Sequence, residues 1–137
     1  MYLVAGRPAM GKSSLGLQMA TNAIKKRQAS VLYFSCEMPG EELTTRIISA
    51  EAGIDGKRLQ DANIKDSEWS SFYESLQYVE GWDLLIDDRT RNVEGIKARS
   101  TVQAASKLDL IVVDYVQRVQ VGKRYHNRDS EVGAVSD

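Results

Sequence analysis

The chain of 137 residues has 18 Lys and Arg against 19 Asp and Glu, a formal net charge of −1, and 42% hydrophobic residues. That length accommodates one domain and little more, and the ordinary composition, with 2 Pro and 10 Gly, excludes a disordered or fibrous chain. The charge balance excludes a bulk polycation, a single cysteine (Cys36) excludes a disulfide framework or metal cluster, and neither a membrane-length apolar run nor a signal peptide is present, which suits a reducing cytoplasm.

In chain order, Tyr2-Leu3-Val4-Ala5 reads as a brief strand that runs into a glycine-rich turn. Lys12 to about Lys26 reads as a helix with apolar residues on more than one face, the pattern of a helix packed on both sides. Ser30 to Ser35 is a strand; Pro39 and Gly40 stop the chain after it and open a helix carrying Glu41, Glu42, Leu43, Ile47 and Ile48. Trp69, Phe72, Tyr73, Leu76 and Val79 form the clearest amphipathic stripe, on a helix that Asp66 or Ser67 could cap. Trp82 to Ile86 is another strand and Val93 to about Ala105 a weaker helix. Leu108 to Val113 is an almost unbroken apolar run, as in strands buried on both faces of a parallel sheet, and it ends in Asp114. Residues 118–128 turn basic and polar and read as a loop. Strand alternating with helix predicts an α/β fold with a mostly parallel sheet flanked by helices.

Gly6-Arg7-Pro8-Ala9-Met10-Gly11-Lys12-Ser13 satisfies G-x-x-x-x-G-K-[ST] at every fixed position, after a predicted strand and before a predicted helix. The glycines let successive backbone N–H groups turn inward around an anion, and the helix aims its positive end at it. Residues Gly6 to Ser14 thus form the candidate nucleotide cradle, with Lys12 as a point charge for the β- and γ-phosphates and the Ser13 hydroxyl as a Mg²⁺ ligand. The implied ligands are ATP and Mg²⁺.

A P-loop needs a second carboxylate for the metal's water shell. Two candidates follow apolar strands: Asp87, with Asp88 beside it, and Asp114. The longer, more uniformly apolar strand before Asp114 favours it as the end of a central strand, while Asp87-Asp88 looks more like a strand end capping the next loop. Spacing alone leaves both open. Glu37 sits just past the carboxyl end of a strand, where open α/β sheets hold their ligands. There it could aim the water that attacks a γ-phosphate, or simply cap the following helix.

Taken together, Ala5 to Ser13, Phe34-Ser35-Cys36-Glu37-Met38-Pro39, Ile86-Asp87-Asp88 and Ile111 to Gln117 resemble the RecA-like motor domain of DnaB-type replicative helicases over essentially the whole chain, 1–137. The resemblance implies a P-loop fold with the P-loop at 6–13, the Walker B strand at 109–114 and a basic loop at 118–128. It implies that Lys12 and Ser13 are the phosphate and Mg²⁺ residues, that Glu37 is the catalytic glutamate, and that Asp114 rather than Asp87 is the Walker B aspartate. Asn127-Arg128 and Glu131 resemble a short segment near the loops that face DNA. The basic strip of Arg118, Lys123, Arg124, His126 and Arg128 would then follow the backbone of single-stranded DNA, with a solvated surface loop as the other reading. A homo-hexamer, a primase and a helicase loader are the implied partners, in a bacterial cell or a phage-infected host.

The chain departs from the family pattern by ending before the sensor strand and the arginine or lysine finger, and by starting almost on the P-loop strand. The fold is therefore expected to be incomplete at its C-terminal side. The P-loop and Walker B strands, which the sensor strand separates in the family, would then stay unpaired, meet in a new register, or borrow a strand. Alone, such a piece is expected to bind nucleotide weakly and hydrolyse it hardly at all. The rival readings are another RecA-like ATPase, such as a recombinase or regulator, and a non-catalytic nucleotide-binding or assembly fragment.

Overall fold

The computed structural model describes residues 1–7, 10–114 and 118–119. Within them run α1 (Lys12–Arg27), β1 (Val31–Ser35), α2 (Gly40–Ala52), α3 (Gly56–Gln60), a 3-10 turn (Asp66–Glu68), α4 (Trp69–Glu80), β2 (Leu84–Asp87), α5 (Val93–Ala104) and β3 (Leu110–Asp114). Among the described residues the strands make one parallel sheet in the order β2-β1-β3. The central strand is therefore β1, and β3, expected in the middle, flanks it. Val31 pairs with Leu84 on one side and Leu110 on the other, and Ser35 pairs with Asp114.

All of β1 is buried. Val31 and Tyr33 face a core built with Leu17, Ala20 and Ile24 of α1 and Leu43 and Ile47 of α2. Leu32 and Phe34 are buried on the opposite face, where α5 packs. The flanking strands are less covered, and for β3 this differs from expectation. Leu84, Ile86, Leu110 and Val112 join the α1/α2 core, but Leu85 is 39% and Ile111 43% exposed. Among the described residues a single helix, α5, packs on the middle of the second face and leaves the outer strands open, so burial on both faces is confined there to β1.

Three other expectations are corrected. Residues Tyr2-Leu3-Val4-Ala5 form no strand, and Tyr2 is 94% exposed. Among the described residues β3 pairs only with β1, and this segment does not add to its open edge. The segment ahead of the P-loop thus stays unpaired, whereas β3 is paired along β1. Second, α1 packs on one side: Leu17, Ala20 and Ile24 are buried, whereas Leu15 and Met19 are exposed. Third, the aromatic stripe of α4 stays largely outside. Trp69 stacks on Tyr73 and meets Phe72 edge-on, each pair with centroids 5.7 Å apart, while α4 packs against α2 and buries only Ser75. Its entry is the 3-10 turn rather than a cap by Asp66 or Ser67. Glu68 accepts the Lys65 N–H (2.9 Å) and two Arg58 guanidinium N–H groups (2.9 and 2.6 Å).

The base of the sheet is latched by polar contacts. The backbone N–H of Ser30 donates to Asp109 Oδ2 (2.8 Å), the Ser30 hydroxyl donates to the Lys107 carbonyl (2.9 Å), and Lys107 Nζ donates to the Gln28 carbonyl (2.8 Å). The Ser30 N–H holds the Asp109 carboxyl below its ordinary value. No helix among the described residues is long and apolar enough to cross a membrane.

Candidate functional site

The site is assembled at the carboxyl ends of the parallel strands. Gly11 precedes α1 with φ of +79°, a left-handed conformation that glycine adopts without a Cβ penalty. It offers no side chain to accept from the first turn, so the amides opening α1 have no side-chain cap. Lys12 Nζ donates to the carbonyls of Gly6 (3.0 Å) and Arg7 (3.1 Å), drawing its ammonium across the loop. Ser13 and Ser14 lie in the first turn. Gly6, Arg7 and Met10 are exposed; Pro8 and Ala9 lie outside the described residues.

Helix α1 then runs over the sheet at Gly16, where a Cβ would stand 3.4 Å from Tyr33 Oη and 3.6 Å from Val112 Cγ1. Ser13 is three residues before Gly16, on the same side of the helix. The first turn of α1 is thereby carried toward the ends of β1 and β3.

Asp114, the last residue of β3, is 6% exposed, and the Tyr33 hydroxyl donates to its Oδ2 at 3.1 Å. Burial, and then the Asp114 charge, push the Tyr33 phenol far up, so it stays a protonated donor. The backbone N–H of Cys36 donates to the Asp114 carbonyl at 2.7 Å, carrying the β1–β3 pairing one residue past Ser35. Cys36 is itself buried, and burial pushes its thiol up, as fits a small packing residue.

Glu37 follows directly and is exposed. It does not cap α2. The N-cap position is Pro39, and the first helical amide, that of Gly40, donates to Asp88 Oδ2 at 2.8 Å. The turn carrying Glu37 is held at its other end by the Ser35 hydroxyl, which donates to the Met38 carbonyl at 2.6 Å. Glu37 faces Arg118 at 3.7 Å, an exposed ion pair of small energetic weight.

Asp87 has another occupation. It is 4% exposed. Its Oδ1 accepts the N–H groups of Arg89 (3.0 Å) and Thr90 (2.8 Å), and its Oδ2 accepts the Thr90 hydroxyl (2.8 Å) and Arg99 Nε (2.9 Å). Burial raises this carboxyl, but the Thr90, Arg99 and Arg89 donors outweigh it and hold it at about 2. Both oxygens are committed to joining β2 to α5, the loop-capping role expected of it.

Two contributors escaped sequence reasoning, Tyr33 and Ser35, while Asp88 and Arg118 were named there without the partners they take here, the Gly40 N–H and Glu37. For Tyr33 a signal existed, since a phenol inside a fully buried apolar strand must find a partner for its hydroxyl. Of the basic strip only Arg118 is described; Lys123, Arg124, His126 and Arg128, with Asn127 and Glu131, lie outside the described residues.

A helix whose N-terminus carries a P-loop sequence, laid over the carboxyl ends of a parallel sheet, defines a P-loop α/β domain. The whole chain, residues 1–137, matches the DnaB-like helicase C terminal domain, and the protein belongs to that family. It is 33% identical over 141 residues to a probable replicative DNA helicase of Trieres chinensis and 32% identical over 139 residues to the replicative DNA helicase DnaC of Bacillus subtilis (strain 168). In each case 99% of this chain is covered but only 31% of the relative, so the chain spans about a third of their length. The fold is shared with the ATPase domain of G40P (TM-score 0.87, 20% identity, 95% of this chain and 48% of that one). It is shared equally with a DnaB-like replicative helicase studied with its interactions with primase (TM-score 0.86, 20% identity, 95% of this chain and 32% of that one).

Proposed function

We propose that this chain forms the ATP-binding and ATP-hydrolysing part of a replicative DNA helicase motor. The observation that carries the reading is the meeting of three elements at one end of the sheet. A P-loop sequence opens α1, α1 packs over Tyr33 and Val112, and the adjacent parallel strands β1 and β3 lead into Glu37 and Asp114. The donor set fits a small hard cation, since a serine hydroxyl and a carboxylate supply only oxygen. In this reading Ser13 and, through water, Asp114 would hold Mg²⁺, which would neutralise charge building on the phosphates.

The chain's own residues do the rest. The uncapped amides at the start of α1 and the backbone of Gly6 to Ser14 bind the phosphates. Lys12 exchanges its loop carbonyls for β- and γ-phosphate oxygens. Glu37, on a turn clamped by Ser35 and Asp88, orients the attacking water and takes its proton. Single-stranded DNA along Lys123, Arg124 and Arg128, a homo-hexameric ring, and a primase and loader as partners complete the proposal.

Binding of a fluorescent ATP analogue, with and without Mg²⁺, tests it. Lys12→Ala is expected to weaken binding by at least about tenfold, the scale of a charge-assisted hydrogen bond. Unchanged binding would overturn the reading. In the full-length protein containing this chain, Glu37→Gln should bind nucleotide as the parent does but lose about 10²- to 10⁴-fold in turnover. Undiminished turnover would remove Glu37 from the mechanism.

A further inference from the structure

Tyr33 is wholly buried in the middle of β1, within the core that Leu17, Ala20, Leu43 and Ile47 build. An aliphatic side chain would satisfy that position by packing alone. The phenol adds a polar atom that must be paired, and its partner is Oδ2 of Asp114, 3.1 Å away. The same hydroxyl lies against α1 at Gly16. It therefore bonds to the strand that ends in the acidic residue and lies beside the helix that begins with Lys12 and Ser13.

A carboxylate at a strand end turns readily about its Cβ–Cγ bond, a broad torsion with little preference of its own. Asp114 has a strand neighbour on one side only among the described residues. We propose that Tyr33 is a positioning residue for the divalent-cation site: its hydroxyl fixes the rotation of the Asp114 carboxylate, so that the remaining acceptor capacity of that group is presented to the metal's water shell in one orientation. This rests on the nucleotide-site reading above. Partners of this kind, which hold a ligand without touching the metal, are typically worth about 10- to 100-fold in metal affinity.

The experiment uses the whole chain, a fluorescent ATP analogue, and a Mg²⁺ titration at fixed nucleotide. Tyr33→Phe keeps the ring and removes only the hydroxyl. It should raise the Mg²⁺ concentration at half-effect about tenfold, while nucleotide binding in EDTA stays at the parent level. In an Asp114→Asn background the same substitution should do nothing further to the Mg²⁺ response. A Tyr33→Phe chain that is merely less stable, with the Mg²⁺ midpoint unmoved, overturns the proposal, and so does an equal loss in the Asp114→Asn background. The parent chain supplies a check that needs no variant: the ¹³C resonance of the Tyr33 ring carbon bearing the hydroxyl should shift when Mg²⁺ joins bound nucleotide, and a static resonance counts against the idea. Should the parent show no Mg²⁺ dependence and Lys12→Ala bind as the parent does, the nucleotide reading itself fails and takes this inference with it.

Discussion

Gly11 shows how much one backbone angle contributes to the cradle. Nothing lies within 4 Å of where its Cβ would be, so a larger residue there is opposed by its φ of +79° and not by a clash. Gly11→Ala should therefore destabilise the chain by about 1–2 kcal/mol in chemical denaturation. Gly11→Asn should recover part of that loss, because asparagine tolerates the left-handed region; equal losses would point to packing instead. The glycine and lysine of this cradle were legible because the motif's chemistry is local. The phenol above it signalled only that a buried hydroxyl needs a partner; which partner was not legible, since Asp114 lies 81 residues along the chain.

The β2–α5 corner is organised by Asp87 and Asn92. With the Asp87 carboxyl near its ordinary value of 3.8 when unfolded and about 2 when folded, its network favours the native state most above the unfolded value. That contribution, about 2 kcal/mol by linkage, fades as pH falls through 4 toward 2. Asp87→Asn should then be clearly less stable than the parent at pH 7 and nearly level with it at pH 2, as urea midpoints would show. At the start of α5, Asn92 Oδ1 accepts the Gly95 N–H at 2.6 Å, so Asn92→Ala should lower stability by about 1 kcal/mol. Helices α1, α2 and α5 were readable from stop signals and periodicity. The exposed stripe of α4 was not, because periodicity gives a helix its apolar side but not which neighbour covers it. The same limit hid the open faces of β2 and β3, since an apolar run looks alike whether one layer of helices or two lies over the sheet.

Taken as one body, the molecule depends on a core gathered around β1, to which α1 and α2 each contribute one face. Leu43 is fully buried there, and Leu43→Ala should lower the unfolding free energy by about 2–5 kcal/mol, read from the denaturation midpoint at unchanged slope. A loss under 1 kcal/mol would mean that this core is not what holds the sheet to its helices. Overall class was accessible from strand–helix alternation, and the P-loop's position from its motif. Strand order was not, because apolar runs do not say which of them lies in the middle.

That order matters while the chain is being made. The middle strand is translated before both of its neighbours, and the segment that completes its far side arrives much later: Ser30 and the Asp109 that receives its amide are 79 residues apart. At ribosomal speeds of about 5–20 residues per second, a nascent β1 waits roughly 4–16 seconds with an apolar flank uncovered. Chaperone demand during synthesis should therefore be greatest in that interval, and should ease once Asp114 has cleared the exit tunnel.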